Sequence, residues 1–352
     1  MDDFAVHQID YRNDDHVLTV KILVYEYITG GGAAGEMLPQ ALVAEADLMV
    51  LALVSDLREA PGVQVAFTRD PRLESLGLAG EWGWDDPGHP PWLTYAERID
   101  AVWPIAPETG GILERISASV IQADKILLAS RPEAVSVCAS KTATISRLAD
   151  HGLPVVPTYP MRDRGAFESG PWVLKPDDGV GCAGTWLCKD GAALLDTWTD
   201  LGRPADYIAQ PYVQGEPASL SLLCEEGRTH LLSVNRQRIS VHDQRFSLDA
   251  CEVNALSGHR GSVEVLAQRL GAALPGLWGY VGVDLILDGP TATLLEVNPR
   301  LTTAYAGLKG ALGVNPAQLV LRLAAGDDPG TGASANGAGA VVEVSLRRGH
   351  GN

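Results

Sequence analysis

Apolar runs and helical patterns alternate along the first third of the chain. Residues 20–25 form an apolar run that is typical of a buried strand, and the glycine-rich residues 29–32 and a helical pattern over about 36–57 follow it. Further strands are predicted at 63–68 and 100–105, and a helix then ends near Ala123. This alternation of strand, loop and helix predicts an open α/β domain with a parallel sheet, whose ligands bind beyond the carboxyl ends of the strands.

The pattern changes after residue 130 to strands joined by short turns, with single helices between them. Mainly antiparallel pairing is predicted over 216–298, so the second half is α+β in character. The predicted strands are 172–175, 185–188, 207–213, 280–287, 291–297 and 341–346, the predicted helices are 140–150, 190–201 and 262–274, and 326–339 is a flexible loop rich in Gly and Ala. The resulting division is an N-terminal extension at 1–19, an α/β domain at 20–130, a central segment at 131–205 and a C-terminal segment at 206–352.

Two acidic residues lie in the predicted hairpin near the C-terminal end. Folding about the turn at Asp288-Gly289-Pro290 places Asp284 roughly opposite Glu296, and the alternation of a strand places Asn298 on the same face as Glu296. Two carboxylates and an amide oxygen are the hard ligands that suit magnesium. The alternative is a surface hairpin with solvated acidic residues, but a charge among Val and Leu is costly without a partner.

Composition and charge exclude several classes of function. The 352 residues carry a formal net charge of -17, whereas a protein that binds duplex nucleic acid needs the opposite sign. Five cysteines without a C-x-x-C pair indicate reduced thiols and a cytoplasmic protein. The longest strongly apolar run, 48–54, is too short to span a membrane, and residues 1–17 lack the apolar core of a signal peptide.

A lysine followed by a glycine-rich loop indicates phosphate binding. Lys175 ends an apolar strand, and the loop over 177–184 contains Gly179, Gly181 and Gly184. Backbone N–H groups of such a loop can close over phosphate oxygens. The loop is neither a P-loop, since no Gly-Lys-Ser/Thr follows, nor a dinucleotide fingerprint, since it joins two strands. The alternative is an ordinary glycine hairpin with an exposed lysine.

The segment from Gln210 through Pro211 and Tyr212 to Val213 is a candidate adenine hinge. An extended backbone can contact adenine with one C=O and one N–H, and Pro211 keeps its C=O while Val213 keeps its N–H. Glu216, just beyond the turn, is a candidate acceptor for ribose hydroxyls. The alternative is an edge strand that ends at a turn.

Taken together, these residues resemble the ATP-grasp superfamily of carboxylate–amine ligases. The resemblance covers residues 20 to about 346, and Gln210 departs from it because many members carry an acidic residue there. It implies an ATP-grasp fold with an N-terminal Rossmann-like (pre-ATP-grasp) domain, a central lid domain and a C-terminal ATP-grasp domain. The residues that carry it, in order, are Lys141, Lys175 with its glycine loop, the hinge at 210–213, Glu216, Asp284 and the run Glu296-Val-Asn298-Pro-Arg300.

The resemblance also implies the chemistry. ATP phosphorylates a carboxylate, and an amine attacks the acyl phosphate to give an amide. Asp284 and Glu296 are expected to hold one Mg²⁺ or Mn²⁺ ion, with Glu296 bridging to a second ion that Asn298 completes. Lys141 and Lys175 are expected to hold the ATP phosphates, with Lys175 and Arg300 as the catalytic cations. Arg300 would clamp the γ-phosphoryl group or the substrate carboxylate, and the loop 177–184 would close as a lid.

The stretches 21–32 and 106–112 look like the tyramine–glutamate ligase branch of this superfamily. The resemblance implies glutamate and an aromatic amine, tyramine or tyrosine, as small-molecule substrates in methanofuran-type cofactor synthesis. We expect the amides of Gly30, Gly31 and Gly32 to bind the carboxylate because a helix start attracts anions. Glu26 and Glu108 are the candidates for holding the amine.

Other functions stay open at this point. They are an ATP-grasp ligase for another carboxylate and amine, such as a peptide, pterin-glutamate or amino-acid ligase, and a nucleotide-binding regulatory protein without catalysis. A dehydrogenase would need a dinucleotide fingerprint, which the first strand and its loop do not supply. We expect no nucleic acid or membrane partner, and a homodimer is possible on the sequence.

Overall fold

The computed structural model describes residues 19–84, 90–162, 167, 169–329 and 339–346. The extension predicted at 1–19 therefore lies outside the described residues except for Thr19. The loop predicted at 326–339 is described only at 326–329 and at Gly339. Within the described ranges, none of the helices combines the length and the apolar character that a bilayer crossing requires.

The first domain is built on a five-stranded parallel sheet, as the sequence predicts. Its strands are β1 (Val20–Glu26), β2 (Val63–Arg69), β3 (Glu81–Gly83), β4 (Ala101–Ile105) and β5 (Ile126–Leu127), and its helices are α1 (Gln40–Arg58) and α2 (Ile112–Gln122). The strand order is β3-β2-β1-β4-β5 with every pair parallel. The order reverses between β1 and β4, and in open α/β sheets ligands bind in the crevice at such a point. The segments that follow these two strands therefore face the expected site.

Alternation along β1 divides the core of this domain into two layers. Ile22 and Val24 lie in the buried cluster that α1 shares, whereas Leu23 and Tyr25 lie in the cluster that α2 shares. Successive side chains of a strand point to opposite faces, so one strand supplies both layers. Glu26 therefore falls on the α1 face, and Tyr27 continues the α2 face.

The second half forms a ten-stranded sheet whose pairs are antiparallel. The strand order is β14-β13-β10-β11-β12-β8-β7-β9-β6, and β15 pairs with β12. The elements are α3 (Pro132–Ala139), α4 (Lys141–Asp150), β6 (Tyr159–Pro160), β7 (Trp172–Pro176), β8 (Trp186–Cys188), α5 (Gly191–Asp200), β9 (Tyr207–Pro211), β10 (Glu216–Glu225), β11 (Arg228–His242), β12 (Arg245–Val253), α6 (Arg260–Ala273), β13 (Gly279–Asp288), β14 (Thr291–Asn298), α7 (Tyr305–Leu312), α8 (Pro316–Ala324) and β15 (Val342–Ser345).

Two parts of the predicted C-terminal segment pack elsewhere. Strand β9 pairs with β7, so it belongs with the strands that flank the glycine loop. Helices α7 and α8 pack against α1 of the first domain, and Leu308 and Leu323 share one buried core with Leu53 and Leu57. The C-terminal helices therefore bury their apolar faces on the first domain, which ties the two halves together.

Candidate functional site

The hairpin of β13 and β14 brings the predicted metal-binding groups together. Asp284 lies directly opposite Glu296 in the register of the two strands, because a β-bulge between Asp284 and Leu285 shifts the pairing by one residue from the register that the turn sets. Asn298 lies opposite Gly282, and its Nδ2 donates to Oδ2 of Asp284 at 3.2 Å. The juxtaposition of these side chains on one face is therefore confirmed, while their binding of metal stays a prediction.

Both predicted phosphate-binding lysines converge on Glu296. The Nζ atoms of Lys141 and Lys175 lie 3.2 Å and 3.8 Å from Oε2 of Glu296. Lys141 begins α4, where the side chain of Ser140 caps the helix by accepting from the N–H of Ala143. Lys175 comes from β7, so a helix start and two strands that lie far apart in the sheet order meet at one carboxylate.

Burial and charge give the two carboxylates opposite pKa shifts. Burial, followed by the neighbouring Glu296 charge, raises the pKa of Asp284 to about 7. Burial also acts to raise the pKa of Glu296, but Lys141 and Lys175 outweigh it and lower that pKa. Burial lowers the pKa of Lys175 despite the attraction of Glu296. Two buried carboxylates this close do not both carry a negative charge unless a cation neutralises them, and otherwise one of them keeps its proton.

The donor set fits a hard divalent cation that substrate oxygens help to hold. Asp284, Glu296 and Asn298 offer oxygen atoms only, and Mg²⁺ is usually bound by one or two carboxylates together with phosphates. No three His, Cys, Asp or Glu side chains cluster as a metal site in the part of the chain that the structure describes. A cation here would therefore depend on ATP phosphates or water for its remaining ligands.

Gln237 is a site residue that the sequence analysis missed. Its Nε2 donates to Oδ1 of Asp284 at 2.8 Å from β11. The strand order β13-β10-β11 makes this contact possible, because the small Ser219 of β10 pairs with Asp284 on one side and with Asn235 on the other. Without the strand order, nothing in the sequence associates Gln237 with the hairpin.

The predicted hinge lies on β9 next to the lid strands. The side chain of Gln210 is buried and donates to Oγ1 of Thr158 at 2.9 Å, while its backbone pairs with Val173. The Tyr212 N–H donates to the Pro171 carbonyl at 2.9 Å. Gln210 thus anchors the strand by its side chain, and the binding of adenine by the backbone of this segment stays a prediction.

Glu216 has a protein partner that the sequence did not indicate. It begins β10, and its carboxylate forms an ion pair with Arg236. Arg236 also contacts Glu252 at 2.8 Å. Glu216 remains more than a third exposed, so its binding of ribose stays a prediction.

The glycine loop contacts both the lysine site and the first domain. The Gly179 carbonyl accepts from Nζ of Lys141. Asp178 accepts from Thr109 Oγ1 through its carbonyl at 2.7 Å and from the Gly110 N–H through its carboxylate at 3.1 Å. Gly184 has a φ of +68°, and a Cβ there would lie 2.8 Å from the Tyr207 hydroxyl. The loop is therefore held against the turn that precedes α2, and its closure as a lid stays a prediction.

Arg300 and Glu108, which were predicted to bind different substrate groups, contact each other. Nε of Arg300 donates to Oε2 of Glu108 at 3.0 Å, and the two side chains are 14% and 5% exposed. The other carboxylate oxygen of Glu108 is buried and has no hydrogen-bond partner among the described residues. The pair joins the end of β4 to the end of β14, and one oxygen of Glu108 remains for a ligand.

The expectation that the Gly30–Gly32 amides bind a carboxylate at a helix start is wrong in its premise. Helix α1 begins at Gln40, because residues 27–35 form turns and Pro39 precedes the helix. The Gly30 N–H already donates to the carbonyl of Glu26 at 2.8 Å. These glycines therefore serve the turn after β1 and do not form a helix N-terminus.

The carboxylate of Glu26 is likewise used within this turn. It accepts from the N–H of Thr29 at 2.5 Å and from the Thr29 hydroxyl at 2.8 Å. Burial raises the pKa of Glu26 to about 7. Glu26 is thus a buried turn-closing residue, and its expected role in holding the amine has no support from these contacts.

Comparison with known families agrees with this architecture. A family model for a pre-ATP-grasp domain matches residues 63–135, and one for an ATP-grasp domain matches residues 138–304. The chain has an ATP-grasp fold preceded by a pre-ATP-grasp domain. The first match covers β2 to α3, and the second extends from Lys141 through Arg300, which includes every predicted nucleotide- and metal-binding residue.

Solved ATP-grasp structures share the fold over most of the chain. A putative ATP-grasp superfamily protein from Archaeoglobus fulgidus has a TM-score of 0.66 at 22% identity and covers 88% of this chain and 89% of its own. An L-amino acid ligase from Bacillus licheniformis has a TM-score of 0.62 at 18% identity and covers 87% of this chain and 74% of its own. At these identities the likeness concerns the fold alone.

Two curated relatives are both tyramine–L-glutamate ligases. The one from Methanocaldococcus fervens is 29% identical over 215 residues, which is 60% of this chain and 62% of that protein. The one from Methanocaldococcus jannaschii is 28% identical over 219 residues, which is 62% of this chain and 61% of that protein. The ATP-grasp chain described here thus matches about three fifths of the length of these relatives.

Proposed function

We propose that this protein is an ATP-dependent carbon–nitrogen ligase that joins glutamate to an aromatic amine, tyramine or tyrosine. The observation that carries the proposal is the convergence of Lys141 and Lys175 on the hairpin of Asp284, Glu296 and Asn298. Two cations beside an oxygen-only metal-binding set suit the transfer of a phosphoryl group, which depends on positioning and charge. The choice of substrates is supported by the names of the two curated relatives.

The residues would divide the binding of MgATP between the two sides of the site. Lys141 and Lys175 would hold the phosphates, the backbone at 210–213 would hold the adenine, and Glu216 would hold the ribose. Asp284, Glu296 and Asn298 would hold two Mg²⁺ or Mn²⁺ ions, which neutralise the charge of the phosphates when bound.

The proposed reaction has two steps. A carboxylate oxygen of glutamate forms a bond to the γ-phosphorus as the bond to ADP breaks, which gives an acyl phosphate. The neutral amine then forms a bond to the acyl carbon, loses a proton and displaces phosphate. Arg300, with its Nε held by Glu108 and its Nη1 donating to the Leu301 carbonyl, would direct Nη2 to the phosphoryl group or to the carboxylate. The lid at 177–184 would exclude water, which hydrolyses an acyl phosphate.

Two other functions remain as alternatives. An ATP-grasp ligase for a different carboxylate and amine would use the same lysines and acidic hairpin, so it is distinguished only by the substrates that react. A catalytically silent nucleotide-binding protein is disfavoured by the full set of lysines, carboxylates and asparagine. The methanofuran-type pathway, a cytoplasmic location and a homodimer stay predictions.

An ADP-release screen tests the proposal. Glutamate is combined with tyramine, tyrosine and other amines, and the mass of the product identifies the amide. Asp284→Asn and Glu296→Gln should each abolish ADP release. Asp288→Asn, which changes an exposed carboxylate in the turn of the same hairpin, should leave it unchanged. Full turnover by Asp284→Asn would refute the role of the hairpin in binding metal. An amide that forms only with another amine would refute the choice of tyramine or tyrosine.

A further inference from the structure

A cavity of about 500 Å³ lies in the first domain, between α2 and the turn that follows β1. We propose that it binds the aromatic ring of the amine substrate, an inference that rests on the proposed function. The volume is in the range of small-molecule sites. The cavity does not include the lysines or the acidic hairpin, so it is separate from the nucleotide site.

Aromatic side chains form one wall of this cavity. Tyr25 and Tyr27 reach it from β1 and the turn after it, because alternation places both on the α2 face. Trp84 and Trp92 add two indole rings. The indole nitrogens of both tryptophans are buried without a hydrogen-bond partner among the described residues. A wall of four rings suits an aromatic ligand by stacked or edge-to-face contact.

One face of α2 forms the opposite wall. Ile112, Ile116 and Ser119 line the cavity at the i, i+4 and i+7 spacing of a single helix face. Arg115 is the one charged side chain among the described lining residues, and its Nη1 donates to the carbonyl of Gly110 at 2.6 Å. Glutamate carries two carboxylates, whose burial against rings is costly, so the cavity suits the amine rather than glutamate.

Glycine is required in this turn because a side chain there would overlap the aromatic rings. A Cβ at Gly31 would lie 2.5 Å from the Trp84 ring, and φ at Gly31 is +96°. A Cβ at Gly32 would lie 2.3 Å from the Tyr27 ring and 2.6 Å from the Tyr25 hydroxyl. The glycine run therefore shapes the aromatic wall, which gives it a role in ligand binding that does not use its amides.

The cavity adjoins the turn that carries Glu108. Ile112 begins α2 and lines the cavity, and Glu108 precedes it by four residues at the other end of the same turn. The carboxylate oxygen of Glu108 that lacks a partner is an acceptor suited to an amine. A ring in the cavity with its short amine-bearing chain directed to this turn would bring the nitrogen towards Arg300 and the phosphoryl site.

The test is a substitution on α2 that reduces the volume of the cavity. Ser119→Phe places a ring in the cavity, whereas Ile121→Phe adds a ring to the exposed face of the same helix, where Ile121 is 40% exposed. Tyramine and tyrosine are each titrated calorimetrically into the full chain, and the KM values for amine and ATP are measured. Ser119→Phe should weaken binding of both amines and raise their KM by about tenfold or more while leaving MgATP binding intact. Ile121→Phe should match the unchanged protein.

A second variant tests the cavity independently in case Ser119→Phe does not fold. Tyr27→Leu removes one ring from the wall and should also weaken amine binding, with MgATP binding as the check on folding. Unchanged amine affinity in a folded Ser119→Phe, or no binding of either amine to the unchanged protein, would overturn the cavity assignment. If the amines bind and Ser119→Phe prevents it, but no amide forms, the proposed reaction fails and the cavity stands. If amide forms with an unchanged KM for amine in Ser119→Phe, the reaction stands and the cavity assignment fails.

Discussion

The ion pair between Arg300 and Glu108 supports a quantitative prediction, because it is buried and joins the two halves of the protein. The perturbations are Arg300→Met, Glu108→Gln and the double variant. At 3.0 Å between Nε and Oε2, and with an effective dielectric constant of about 20, the attraction is about 5.5 kcal/mol. Removing both charges from water costs several kcal/mol per ion and offsets most of this gain.

The single and double variants should therefore differ. Arg300→Met leaves the Glu108 carboxylate buried, with neither oxygen paired to a side chain, and should lower the free energy of unfolding by about 3–5 kcal/mol. The double variant removes the uncompensated charge and should recover most of that loss. Its ligase activity should stay lost, because both side chains would contact substrate.

Urea unfolding measures these values, and an exposed pair supplies the control. Arg228 and Glu225 lie 2.7 Å apart, but Arg228 is 72% exposed. Arg228→Met should therefore cost at most about 1 kcal/mol. An Arg300→Met variant that loses no more than this control, or a double variant as unstable as Arg300→Met alone, would refute the argument from burial.

Three further predictions concern pH, the lid and its glycines. Burial raises the pKa of Glu26 from 4.5 to about 7, so the contribution of Glu26 to stability is fully present below pH 4.5 and is lost as the pH rises through 7. Relative to wild type, Glu26→Gln should gain about 3 kcal/mol in urea unfolding between pH 4.5 and 8, with the exposed Glu97→Gln as the control for loss of charge, and an equal difference at both pH values would contradict this. Asp178→Ala removes the contact of the lid with the Gly110 N–H and should raise the ratio of ADP released to amide formed, because water would reach the acyl phosphate. An unchanged ratio would show that this contact is not needed to exclude water. Gly184→Ala should weaken ATP binding more than Gly181→Ala, since only the former meets a side chain within 3 Å, and equal ATP affinities would argue against that clash.

The parts of the site that could be predicted from sequence are those that depend on local pairing. A two-strand hairpin with a short turn sets its register to within a residue, so the turn position predicts that Asp284 and Glu296 lie close together. Their direct pairing also depends on a β-bulge between Asp284 and Leu285, which no local pattern indicates. The same holds for Lys175 and the glycine loop, which connects two adjacent strands. The parallel sheet of the first domain follows from the alternation of strands and helices.

The contacts that could not be predicted depend on strand order or on contact between the two halves. Gln237 reaches Asp284 only because β10 separates β11 from β13 in the sheet. Arg300 and Glu108 are 192 residues apart in the chain, and no local pattern relates them. Asp178 binds the turn before α2 by the same kind of long-range contact. Arg300 and Glu108 could be identified as candidates from the sequence and Gln237 could not, and the partners of all three depend on tertiary packing.

The turn after β1 explains how the glycines of a recognisable motif can shape a pocket without binding a ligand through their amides. Glycine was expected there for its free amides at a helix start, yet the helix begins ten residues after Gly30 and the Gly30 amide is already bonded. The structural requirement is for the absence of a Cβ, since side chains at Gly31 and Gly32 would overlap the rings of Trp84 and Tyr27. Because alternation along β1 sends Glu26 to the other face, the same short stretch excludes an acidic group from the aromatic wall. A motif of this kind encodes the shape of a pocket, so we infer that selection of the amine depends on fit to the rings and that catalysis depends on the distant lysines and acidic hairpin.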